Sequence, residues 1–149
     1  MTAAAGAGEE RLAGLIAELR SRGARVTTAR RSLLGALAEA EDHHLTAADL
    51  TATVQRAHPE VHLSTIYRSL ESLEELGIVD HVHLGHGRAV YHLADEAHQH
   101  LVCEVCGAVI EVPRETFAQL ADSVRRAYGF SVRPHFAVVG RCAACGAGD

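Results

Sequence analysis

The 149-residue sequence contains no lysine, so all 14 of its Lys and Arg positions are arginine. Such a set suits bidentate phosphate contacts, but a GC-rich coding genome produces it equally well, so it identifies no partner alone. The chain also lacks any uninterrupted run of about 20 apolar residues, the length that a membrane helix needs. Its first ten residues, MTAAAGAGEE, show no basic segment followed by an apolar one. A soluble, cytoplasmic protein with no membrane partner is therefore expected. Excess positive charge is absent as well: the formal net charge of -5 argues against non-specific coating of nucleic acid.

Catalytic signatures are missing too. No His-Glu-x-x-His occurs, and Cys103 follows Val102 instead of the proline of a Pro-Cys-x-x-Cys deaminase motif. The expectation is a protein that is not an enzyme and has no small-molecule substrate. A zinc enzyme or a metal-binding protein-interaction module is the rival of a different class.

What the sequence does contain is a set of punctuated helical and strand patterns. Leu12, Leu15, Ile16 and Leu19 follow helical spacing between Glu9 and Arg22, and Gly23 is a stop signal. Thr27 or Thr28 can cap a second helix carrying Leu33, Leu34 and Leu37. Thr46 followed by Asp49 reads as a capping box for a third. Ser64 is placed to cap a fourth, with Ile66, Leu70 and Leu73 inward, Ser64, Tyr67, Arg68 and Glu71 outward, and Gly77 at its end. A short polar face tipped by an aromatic suits a DNA groove.

Ile78–Leu84 and Ala89–Leu93 are strand-like and meet at Gly85-His86-Gly87, so helices followed by a hairpin predict a winged helix-turn-helix. Arg20, Arg22, Arg25, Arg30 and Arg31 fall in a stretch without an acid, a local basic signal. Asp95 to His100 reads as a polar hinge. Strands near Leu101, at Val109–Val112 and at Phe136–Val139, with a helix carrying Phe117, Leu120, Val124 and Tyr128, complete an α+β chain. The expected domains are 1–94 for DNA binding, 95–100 as hinge, and 101–149 for dimerisation and metal.

The four cysteines are Cys103, Cys106, Cys142 and Cys145, two Cys-x-x-Cys pairs with no thiol left over. Two such turns supply four thiolates, the closed tetrahedral shell of a structural Zn2+ site. An iron site could use the same ligands, and buried reduced thiols or a redox pair are the bland alternatives. Five of the eleven histidines, His81, His83, His92, His98 and His100, crowd into one region. On a strand, His81 and His83 point the same way and can chelate one ion.

The segments HHLTAADL, STIYRSLESLEELGIV, HQHLVCEVCG and GRCAAC, in that order, give the sequence a resemblance to the ferric uptake regulator family over nearly its whole length. The resemblance implies a homodimer with an N-terminal winged helix for AT-rich inverted-repeat DNA operators and a C-terminal α/β domain that dimerises and carries metal. It implies a metal-dependent transcriptional repressor whose DNA contacts are Ser64, Thr65, Tyr67 and Arg68, supported by Arg22, Arg25 and Arg30. The segments IVDHVHLGHGRAVYHLAD and PHFAVVGRC look closest to the nickel-responsive branch, which assigns His81, His83 and His135 to regulatory Ni2+. A second regulatory site carries over to His44, His92, His98 and His100, its fourth ligand left between His92, Glu96 and water. Ala97 and Gln99 stand where other members carry ligands of a third site. Fe2+ or Zn2+ are the alternative regulatory ions, and an iron-, zinc- or peroxide-responsive regulator is the alternative function within the family.

Overall fold

The computed structural model describes residues 2–40, 45–84, 88–95, 98–133 and 136–146, with the side chains of 2–5 and 88 outside that description. Contacts divide the chain into two units, one of residues 1–81 with 90–95, the other of 82–89 with 96–149.

In the first unit the element order is α1 (Thr2–Ser21), α2 (Thr28–Glu39), β1 (Leu45–Thr46), α3 (Ala47–Ala57) and α4 (Leu63–Glu75), followed by the strands β2 (Val79–Leu84) and β3 (Arg88–Leu93). Thr27 caps α2 by accepting from the Arg30 N–H. Thr46 and Asp49 form the capping box of α3, each side chain taking the other's backbone N–H. Helix α4 begins earlier than expected: His62 is its N-cap and makes no side-chain cap bond, so Ser64 lies inside the first turn. The two-residue strand β1 escapes any periodicity argument because it is too short to alternate. It pairs antiparallel with β3, Leu45 opposite Tyr91, giving the sheet order β1-β3-β2.

Ile66, Leu70 and Leu73 of α4 are at most 1% exposed and pack with Leu19, Leu33, Leu34, Leu50 and Val54 in one apolar core. Burying each such side chain contributes on the order of 2 kcal/mol. Two arginines add polar braces behind α4. Arg22 donates to the Leu76 carbonyl and, at 2.5 Å, to Glu18, while Arg30 donates to the Arg25 carbonyl at 2.7 Å and to Ser72 at 2.6 Å.

The end of α4 is set by Gly77, whose φ of +69° is the left-handed conformation that a residue with a Cβ resists. Gly77 N–H bonds back to the Glu74 carbonyl and Ile78 N–H to the Leu73 carbonyl, a Schellman motif that turns the chain from α4 into β2.

The second unit holds β4 (His98–Cys103), β5 (Val109–Pro113), a 3-10 turn at Arg114–Phe117, α5 (Ala118–Tyr128) and β6 (Ala137–Gly140). β4 is central, antiparallel to β5 and parallel to β6. Residues 98–100, expected in a hinge, are thus part of a strand: polar side chains hid the alternation that the backbone adopts. The amphipathic α5 buries no residue fully, and Leu120 and Tyr128 remain 52% and 81% exposed.

Candidate metal centre

The four cysteine sulfurs converge, lying within 4.8 Å of one another. Cys103 ends β4, and its N–H bonds to the Ala108 carbonyl while Gly107 N–H returns to the Cys103 carbonyl, which folds the first knuckle. The Cys145 N–H donates to the Cys142 carbonyl and closes the second knuckle. Arg141 with Glu104, 3.0 Å apart, and the Glu104 N–H to Gly140 carbonyl bond, 2.8 Å, hold the two knuckles together. Cys106 and Cys142 sulfurs are 3.8 Å apart.

The electrostatics are those of a thiolate nest. Backbone N–H groups of Cys106, Cys142 and Val105 aim at Cys103 and lower its pKa to about 6. Cys145 is pushed up to about 12, because its proton is shared with Cys142 and Cys106 and a further negative sulfur would crowd Cys103. One thiolate forms readily and the last resists, as expected where four sulfurs crowd together. The donor set fits a tetrahedral metal with no position for a catalytic water.

A second convergence lies on the same sheet. His98 and His100, two apart on β4, project to one face, and the β4–β5 register sets Glu111 directly opposite His100. Ligand atoms of these three groups lie within 4.8 Å of one another. The His98 and His100 rings meet edge to face at 4.9 Å, and His98 Nε2 is 3.9 Å from Glu111 Oε1. His100 is 1% exposed. Glu111 is a group able to ligate that the sequence did not single out: the strand at Val109–Val112 was legible, but the pairing partner of His100 was not. Gln99, on the alternate face, accepts from the Phe136 N–H at 3.0 Å and so fixes the entry to β6.

Of the other expected ligands, His92 is buried on β3, its Nδ1 facing the Leu93 carbonyl at 3.3 Å. A carbonyl can only accept, so the proton belongs on Nδ1 and the lone pair on Nε2, the arrangement found in metal-binding imidazoles. His81 Nδ1 contacts Glu74 of α4, and His83 is exposed. His44, Glu96 and His135 lie outside the described residues.

Among the residues expected at DNA, Ser64 and Arg68 are exposed and Thr65 half-buried on the first turns of α4, with Tyr67 45% exposed. Arg68 Nε lies 3.3 Å from the Ser64 carbonyl. Arg25 is exposed, whereas Arg22 and Arg30 are the braces described above, bound to protein acceptors. Their charge has a structural use that a linear reading of a basic stretch does not reveal.

Residues 21–139 match the sequence profile of the ferric uptake regulator family. The chain belongs to that family. The ferric uptake regulation protein of Bacillus subtilis is 34% identical over 131 residues, covering 85% of this chain and 88% of the relative. The structure of the ferric uptake regulator from Pseudomonas aeruginosa with manganese superposes with a TM-score of 0.67 at 34% identity, over 85% of this chain and 96% of that one. A zinc uptake regulator complexed with zinc and DNA gives a TM-score of 0.66 at 29% identity, over 93% and 94% of the two chains.

As a ferric uptake regulator family member the chain is a metal-responsive transcriptional regulator and not an enzyme. Its mixed α+β architecture is the family's fold. Regulators of this family bind DNA operators as dimers. Among the described residues no helix is long and apolar enough to cross a membrane.

Proposed function

We propose that the protein is a cytoplasmic, nickel-responsive repressor that binds AT-rich inverted-repeat operators as a homodimer when loaded with metal. The observation that carries the metal-dependent part is the convergence of His98, His100 and Glu111 one strand's length from the cysteine cluster. In this reading Cys103, Cys106, Cys142 and Cys145 hold structural Zn2+. His98, His100 and Glu111 hold a regulatory ion. His81, His83 and His135 hold Ni2+, an assignment supported by the resemblance of their segments to the nickel-responsive branch and by the affinity of imidazole for that ion.

α3, α4 and the β2–β3 hairpin act as a winged helix-turn-helix. The outward face of α4, with Ser64, Thr65, Tyr67 and Arg68, enters the major groove, and Arg25 contacts phosphate. The unburied apolar side chains Leu120 and Tyr128, with Ile110 of β5 and Val139 of β6 also at least 50% exposed, support the homodimer, since a solvated monomer gains nothing from them.

The test is operator binding by the full chain, its cysteine zinc retained, with Ni2+, Fe2+, Mn2+ or Zn2+ supplied in turn. The proposal expects Ni2+ to raise operator affinity at least tenfold more than the others do. Equal or stronger activation by Fe2+ or Zn2+ would assign the protein to iron or zinc response instead.

A further inference from the structure

We propose that Arg20 and Arg31, with the hydroxyls of Thr27, Thr28 and Ser32, form a recess that seats one DNA backbone phosphate per protomer beside the turn between α3 and α4. The recess has a volume of about 370 Å3 and is lined by these five residues together with Val26 and His58. No carboxylate lines it. Glu60 is the ion-pair partner of His58, at 3.5 Å.

The local fold explains the convergence. Arg20 stands in the last turn of α1, and a short connection returns the chain to α2 at Thr28. Thr28, Arg31 and Ser32 then share one face of α2, at spacings of three and four. Arg30 leaves that face, its guanidinium engaged by the Arg25 carbonyl and Ser72. His58 is the C-cap of α3, and the Val61 N–H bonds back to its carbonyl at 3.0 Å, so the recess adjoins the chain that leads into α4 at Leu63.

The arginines of the acid-free stretch thus separate by environment. Arg22 and Arg30 are bound to protein acceptors, whereas among the described residues the guanidinium groups of Arg20 and Arg31 have no ion-pair or hydrogen-bond partner. Two like charges bordering one recess repel, and an anion between them turns that repulsion into attraction. Guanidinium forks match phosphate oxygens bidentately, and hydroxyls add further donors. The Thr27 oxygen accepts the Arg30 N–H at 3.2 Å, which leaves its own proton to donate. A position at the entry to the reading helix favours a backbone phosphate over a free anion, because contacts there set the register of the helix in the groove without reading sequence. This seat rests on the DNA-reading role proposed for α4 and extends it by a sequence-independent anchor.

The test is the salt dependence of duplex binding by the full chain, zinc retained and loaded with the ion that activates it most, on an inverted-repeat duplex and on a scrambled duplex of equal length. Arg20→Gln combined with Arg31→Gln should weaken binding to both duplexes about tenfold at about 50 mM salt. The same pair should lower the slope of log affinity against log salt by about 2, one phosphate from each protomer of a dimer. Arg114→Gln with Arg126→Gln, an equal loss of charge from exposed positions of the second unit, should leave both quantities unchanged. Circular dichroism melting confirms that each variant is folded. Affinity within twofold of the unaltered chain after the Arg20 and Arg31 substitutions, or an equal loss in the Arg114 and Arg126 variant, overturns the proposal. So does saturable binding of inorganic phosphate to DNA-free protein that the Arg20 and Arg31 substitutions abolish while duplex binding is kept, since the recess then serves a free anion. Failure of the unaltered chain to bind either duplex is a distinct result, which removes the repressor reading and this seat with it.

Discussion

His100 on β4 and Glu111 on β5 are register partners, which sets a carboxylate against a buried imidazole two residues from a second one, His98. The pairing brings Glu111 into a cluster able to hold a metal ion, although it lies eleven positions after His100 in sequence. Glu111→Gln keeps the shape and removes the charge. It should raise the dissociation constant for the regulatory ion by about 10- to 100-fold while leaving one zinc per chain, measured by isothermal titration and elemental analysis. Loss of zinc together with the regulatory ion would mean that the two centres are not independent.

The cysteine cluster makes a titration prediction. In reduced, zinc-stripped protein Cys103 should ionise first, with a pKa of about 6, and Cys145 last, at about 12. A lowered thiol pKa means thiolate at neutral pH and a raised one means thiol. Absorbance at 240 nm should therefore show a first step well below the ~8.5 of a free cysteine and a last step far above it. Zinc binding displaces the remaining protons and should flatten the titration across neutral pH. A single step near 8.5 for all four thiols would show that the nest does not form without metal.

Much of the fold was readable because local signals and tertiary demands agree. The Thr27 cap, the Thr46–Asp49 box, the Gly77 stop and the buried spacing of Ile66, Leu70 and Leu73 are all local in sequence, and each occurs. The misses share a different origin. The cap of α4 at His62 instead of Ser64, the strand nature of His98–His100, the β1 pairing and the placement of Glu111 depend on what a segment packs against. The bracing use of Arg22 and Arg30 is likewise set by Leu76 and Ser72, more than 40 residues downstream.

The arginines of the first unit divide by task. Arg30→Ala removes bonds to the Arg25 carbonyl and to Ser72 and should cost about 1–3 kcal/mol of stability in urea denaturation. Tyr67→Ala, at a position 45% exposed, should leave stability within about 0.5 kcal/mol but weaken operator binding. A Tyr67→Ala protein that is destabilised and binds the operator normally would place the ring in packing and not at DNA.

The exposed face of α5 offers a separate check. Leu120→Glu places charge among apolar side chains that the monomer leaves at the surface, and should shift sedimentation from dimer to monomer at micromolar concentration. An unchanged dimer would move the interface elsewhere.

The most direct measurement is operator affinity before and after regulatory metal is added to protein that keeps its cysteine zinc, read by fluorescence anisotropy on an inverted-repeat duplex at fixed salt. Binding should be weak without the ion and gain at least tenfold on loading, a gain lost again when a chelator removes it. Full affinity in the chelated protein would contradict metal-dependent binding.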